Sequence, residues 1–170
     1  VSEPRFPGWL DHARNVRCTS GEHDAWWRTE FEGIAPLPLL GIHPQKRSTG
    51  VTRSRIPITG CQAAAIRQAF AVAGPAGTGF GPFGLIAASI VALLHRLTGA
   101  ARISLGVPVH QRRTPHERAT VGLFMDVVPI VVDCVPSDTI QSLASRAVRA
   151  LLKSLRHGAP PTDVRERACD

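Results

Sequence analysis

The segment Arg102-Ile-Ser-Leu-Gly-Val-Pro-Val109 alternates without interruption, placing Ile103, Leu105, Val107 and Val109 on one face, the pattern of a strand with one face on a core. A polar, basic loop from His110 to Thr120 follows, and then Gly122 to Val135 is apolar on both faces apart from Asp126 and Asp133. One strand covered on both sides, or two strands meeting at Pro129, accounts for that run. Downstream, Ile140, Leu143, Ala144, Ala147, Val148, Leu151, Leu152 and Leu155 keep the i, i+3, i+4 rhythm of an amphipathic helix, with Ser137 or Asp138 placed to cap it. Strand, loop, strand and helix follow one another in that order. At 170 residues and 44% hydrophobic, it has the apolar material for a core and too much of it for a disordered basic tail.

Upstream, residues 21–33 read as a short helix that puts Trp27 and Phe31 on one face and stops at Gly33. From Ile34 to Gly50, five of 17 residues are Pro or Gly, which marks a connecting loop. Val51 to Ile58 fits a modest strand, limited to an edge or an end by Pro57. Thr59 and Gln62 then have capping-box spacing and open a helix expected to run to about Ala73. Gly79, Gly81 and Gly84 spell a literal G-x-G-x-x-G. A dinucleotide site needs a strand before those glycines and an acid about 20 residues after them. Here a helix precedes, Pro82 interrupts, and residues 100–110 hold no acid, so the glycines read as a loop leading into a buried helix from Phe83 to Leu97, ended by Thr98-Gly99. Beyond His157 the chain is Pro-rich and charged, and residues 158–170 are expected to fray.

The formal charge of +7 is unevenly placed. Residues 1–40 hold four basic and six acidic groups, residues 41–120 ten and one, and residues 121–170 six and six. Clustered Arg raises the local potential and steers anions, so the middle segment can face an acidic or phosphate-bearing partner. Nucleic acid is a poor candidate, because aromatics make up 5% with no Tyr and do not interleave with Arg. Cys18, Cys61, Cys134 and Cys169 show no C-x-x-C and no partnering His pair, which points to free thiols and to no metal site. The apolar run from Phe83 to Leu94 is shorter than the ~20 residues of a bilayer span, and no export pattern opens the chain, so a cytoplasmic protein without membrane contact is expected. Met125 is the only methionine and the chain begins with Val, which points to an alternative start or a piece of something longer.

Four local patterns, in this order, resemble the condensation domains of nonribosomal peptide synthetases, within the carrier-protein- and CoA-dependent acyltransferases. Trp26-Trp27-Arg28 with the downstream Pro-Leu-Pro-Leu-Leu is similar to that family's tryptophan-rich helix and connector. Phe83 to Gly99 resembles its long helix, Arg102 to Arg112 its strand ending G-x-P-x-x-x-R, and Val121 to Ile130 its G-x-F-x-N-x-x-P stretch, with Asp126 where the family usually has Asn. The resemblance covers roughly residues 20–157 and implies a chloramphenicol-acetyltransferase-like αβ sandwich, a mixed sheet flanked by helices, here incomplete. Residues 1–157 would form part of one lobe.

The resemblance also implies a function: joining a carrier-bound acyl or aminoacyl thioester to an amine, with substrates carried on phosphopantetheine arms and no bound cofactor. Its partners would be an acyl or peptidyl carrier protein and the missing N-terminal lobe of the same fold. The family's H-H-x-x-x-D-G is absent, and none of the seven His residues adjoins another, so no catalytic residue is assigned and the chain alone is expected to be inactive. The base matters because the attacking amine must lose a proton as the new bond forms. Two other functions stay open: a non-catalytic remnant that at most binds a carrier or partner, and a polyketide-associated acyltransferase forming esters. His110, Met125 and Asp126 are the candidates to line the substrate tunnel. A carboxylate amid Phe124, Met125, Val127 and Val128 needs a partner, and Arg112 or Arg113 is the expected one. An apolar lobe interface is expected to be exposed.

Overall fold

The computed structural model describes residues 21–35, 37, 53–72, 81–110, 112, 114–158, 160–161 and 163–164. The elements are α1 (Gly21–Glu30), α2 (Gly60–Val72), α3 (Gly81–Thr98), β1 (Arg102–His110), α4 (Pro115–Ala119), β2 (Met125–Asp133) and α5 (Ile140–Arg156). They divide between two units: Val1–Gly33, Ser104–Ile130 and Leu151–Cys169 form the first, and Ile34–Ile103, Val131–Ala150 and Asp170 the second.

β1 and β2 form a two-stranded antiparallel sheet. The register is anchored at one end by the Cys134 N–H donating to the Ala101 carbonyl at 2.7 Å and by Arg102 beside Asp133 at 3.5 Å. Among the described residues the mixed sheet expected from the sequence is this ribbon alone. β2 is one continuous strand through Pro129, and Val128 to Val132 are all buried although successive side chains point to opposite faces. Proline is tolerated there because a two-stranded ribbon leaves each strand an open edge.

The core of the first unit holds Trp27, Phe31, Phe124, Val128, Ile130, Leu151 and Val164. Trp27 and Phe31 do share a face, with ring centroids 5.9 Å apart, and Gly33 turns the chain at φ 72° after α1. In the stretch expected to fray, Pro160 and Val164 are buried, while 159, 162 and 165–170 lie outside the described residues. In the second unit Ala87, Ala88 and Val91 of α3 are buried, as are Ile103, Val131, Val132 and the α5 face of Leu143, Ala144, Ala147 and Val148. Each large aliphatic buried this way contributes roughly 1.5–3 kcal/mol.

α5 starts one residue later than its expected cap. Thr139 Oγ1 accepts the Ser142 N–H at 3.1 Å, and the Ser142 hydroxyl accepts from the Thr139 N–H at 3.1 Å. Asp138 is occupied by Arg146 instead, at 2.8 and 3.0 Å. α2 follows its box only in part: Gln62 Oε1 accepts the Thr59 N–H at 2.9 Å, while the Thr59 hydroxyl donates to the same oxygen instead of capping the helix.

Two expectations fail. Residues 53–59 form no strand, and Ile56 and Ile58 are exposed; alternation over a few residues does not hold a strand that has no neighbour to pair with. α3 begins at Gly81, with Pro82 in its first turn, and is buried along one stripe only. Ile86, Ile90, Leu93 and Leu97 face outward, so the expected buried helix is covered on one face and leaves a second apolar face exposed. By length and composition alone α3 is long and apolar enough to cross a membrane; Gly84, Ala87, Ala88 and Val91 are buried inside its unit instead.

Candidate functional site

β1 ends at His110 and β2 begins at Met125, so the antiparallel pairing brings both to one end of the ribbon with Asp126 beside them. The loop between them is held by Arg112. Its Nη1 donates to the carbonyls of Glu117 and Thr120, the latter at 2.7 Å, and its Nη2 to that of Gly122 at 3.0 Å. Its guanidinium carbon also lies 4.1 Å from the centre of the Phe124 ring, a cation–π contact of about 0.5–2 kcal/mol. Only a planar fork with several fixed donors serves three carbonyls and a ring face together.

Within this loop, α4 closes a full capping box. Thr114 Oγ1 accepts the Glu117 N–H at 3.2 Å, the Thr114 N–H donates to Glu117 Oε2 at 2.7 Å, and Pro115 supplies the first helical position. The T-x-x-E spacing was visible in the sequence and is the signal that identifies this turn. Gly106 explains its own place in G-x-P-x-x-x-R, because a Cβ there would lie 2.9 Å from Val127 Cγ1 across the ribbon.

The structure distributes the expected site residues unevenly. His110 is exposed, Met125 is 61% exposed, and Asp126 is half-buried with Oδ1 accepting the Val127 N–H at 2.9 Å. Arg112, one of the two expected partners of Asp126, is committed to backbone carbonyls and the Phe124 ring; Arg113, the other, lies outside the described residues. His95 Nδ1 lies 2.8 Å from the Ala100 carbonyl just past α3. Cys61 and Cys134 are free thiols; Cys18 and Cys169 lie outside the described residues, as does Gly79 of the glycine run.

A second cluster escaped the sequence, because its members lie 134 positions apart. The Nδ1 atoms of His23 in α1 and His157 after α5 approach to 3.1 Å. Trp26 stacks on the His157 ring at 3.9 Å, and Lys153 lies 5.1 Å over Trp26 while pairing with Glu30 at 2.9 Å. Among the described residues no group of three His, Cys, Asp or Glu is placed to hold a metal, and no Ser hydroxyl or Cys thiol is hydrogen-bonded to a His ring. The ribbon end offers an exposed imidazole, a thioether and a carboxylate, with no activated nucleophile.

The sequence profile of the condensation domain matches residues 3–165. The chain is 28% identical over 151 residues to the polyketide synthase-nonribosomal peptide synthetase pyiS of Pyricularia grisea, covering 82% of this chain and 4% of that protein. It is 28% identical over 151 residues to the phosphinothricin tripeptide synthetase PhsB of Streptomyces viridochromogenes, covering 88% of this chain and 12% of that one. Among solved structures, the first condensation domain of the calcium-dependent antibiotic synthetase superposes with a TM-score of 0.72 at 19% identity, covering 94% of this chain and 34% of its own. The condensation domain of the monacolin K polyketide synthase MokA gives 0.67 at 22%, covering 98% and 41%. The chain thus spans a small fraction of these synthetases and a third or so of the solved domains.

Proposed function

The chain belongs to the condensation-domain family, and on that premise we propose that it is part of a nonribosomal peptide synthetase condensation domain joining a carrier-bound acyl or aminoacyl thioester to an amine. Its fold is the α/β architecture of chloramphenicol-acetyltransferase-like enzymes. The observation that carries the proposal is the profile match over residues 3–165, which takes in α1, α3, the ribbon and α5 together.

In this reading the phosphopantetheine arm is substrate. His110, Met125 and Asp126, gathered at one ribbon end, are the chain's candidates to line its path, and Arg112 sets the loop that joins them. Arg53, Arg55, Arg67 and Arg96 are all exposed in the second unit, which supports an anionic carrier as the partner of the basic segment. The 170 residues contain no H-H-x-x-x-D-G, so the proton acceptor for the attacking amine is assigned to another part of the fold. Residues 1–157 are the proposed share of one lobe, and the cytoplasm is the proposed location.

The DNA immediately upstream provides the test. An in-frame H-H-x-x-x-D-G supports the enzyme, and a stop codon or frameshift ahead of any such motif overturns it in favour of a remnant. The chain by itself, given aminoacyl and acyl carrier proteins and followed by mass spectrometry, is expected to form no amide or ester; turnover would refute the assignment of the base elsewhere.

A further inference from the structure

A 3.1 Å contact between two imidazole Nδ1 atoms requires one to donate and the other to accept. His23 and His157 meet these terms when both rings are neutral or when they share a single charge. With both rings protonated, two N–H groups confront each other and two like charges adjoin, so the contact cannot survive. The rings stand at 79° with centroids 5.2 Å apart, which leaves no parallel stacking between them to replace it.

The surroundings resist the second proton. Burial, then His23, then Lys153 hold His157 below the ordinary imidazole value, with Arg156 adding to the effect and Glu30 opposing it. The groups facing the pair are Trp26 and Glu30 from α1, with Asp24 next to His23, and Lys153 and Arg156 from α5. Trp26 is stacked 9° from parallel with His157 and Lys153 lies over the same indole, so a charge gained by His157 joins a cluster that already holds a cation.

What the pair holds is the segment that follows α5. The His157 N–H donates to the Ser154 carbonyl at 3.1 Å, Gly158 reverses the chain at φ 70°, and the Val164 N–H donates to the Pro161 carbonyl at 3.1 Å with Val164 buried. Among the described residues Arg28 also meets Asp163 at 3.4 Å, with side chains 59% and 44% exposed, which makes the pair weak. We propose that His23 and His157 form a proton-sensitive latch: with at most one proton shared between the rings, His157 and Asp163 stay seated beside α1, and uptake of a second proton releases them.

Imidazole nitrogen NMR on the whole ¹⁵N-labelled chain, with chelator present to exclude divalent cations, reads the latch directly. His157 is expected to take up its proton below the ordinary imidazole range, and that step is expected to move up in His23→Asn. Over the wild-type step, exchange protection of the Val164 amide, corrected for intrinsic rate, is expected to fall about tenfold. In His23→Asn or His157→Asn, Val164 protection no longer changes through that range. A His157 step that stays in place in His23→Asn overturns the latch. So does a pH-dependent loss of Val164 protection that persists in either variant. A wild-type His157 step at or above the ordinary imidazole range overturns it even where a variant fails to fold.

Discussion

Asp138 shows how one carboxylate closes the turn between β2 and α5. It accepts from both Nη atoms of Arg146 at 2.8 and 3.0 Å, from the Val135 N–H at 2.9 Å and from the Ser142 hydroxyl at 2.9 Å, while Arg146 Nη1 also reaches the Asp133 carbonyl. Arg146 first, and then the Val135 N–H, hold the Asp138 carboxyl well below the usual carboxylate range. A group depressed in the folded state stabilises above its unfolded value, near 3.8 here, and that stabilisation drains away as pH falls through the folded value. Urea midpoints of the wild type should therefore fall as pH drops below about 4, and Asp138→Asn should lower the midpoint at neutral pH while flattening its acid dependence. A variant with the wild-type acid slope would assign that slope to other carboxylates. The thiols divide by the same logic. The Thr59 hydroxyl and the first-turn N–H groups of α2 lower the pKa of exposed Cys61, and burial raises that of Cys134. Iodoacetamide at about pH 8 should label Cys61 well before Cys134, resolved by peptide mass mapping; equal rates would mean that the turn after β2 opens freely. From the sequence, Asp138 was legible only as a helix cap, because a partner eight residues on in a helix face is indistinguishable there from any solvated Arg.

At the level of elements, periodicity located β1 and α5 because each turns its apolar face inward, and β2 was legible as a run apolar on both faces. It overreached at Val51–Ile58, where alternation had no strand to pair with, and at α3, where a continuous apolar run hides which side is covered. The candidate site was legible as a segment, His110 to Asp126, but not as contacts: three of Arg112's bonds end on backbone carbonyls, which no side-chain pattern announces. Arg112→Lys keeps the charge and loses the fork, so it should cost about 1–2 kcal/mol in unfolding free energy and speed amide exchange between Thr114 and Gly122; unchanged exchange would show the loop is held by its capping box alone. In the ribbon, Gly106→Ala drives a methyl into Val127, whose branched side chain has few rotamers with which to yield. A loss of roughly 1–3 kcal/mol is expected, with Gly106→Ala/Val127→Ala recovering part of it. Additivity of the two changes would place the strain elsewhere.

For the molecule as a whole, an exposed apolar stripe lies on α3. Ile86, Ile90, Leu93 and Leu97 recur at helical spacing and are each more than 40% exposed. A stripe of that kind associates in water. Sedimentation should find the wild-type chain self-associating, and Leu93→Lys/Leu97→Lys should shift it toward monomer with an unfolding midpoint changed by no more than about 0.5 kcal/mol. A strictly monomeric wild type would mean that the stripe is screened in solution. The division into two units has a different consequence. The first unit is assembled from three separate stretches of chain and the second from the stretches between them, with β1, β2 and α5 each changing membership partway along. No single crossover between two related genes can therefore transfer either unit intact. Recombination among such synthetases either exchanges these residues together or leaves a hybrid in which strand and helix halves of different ancestry must fit one another.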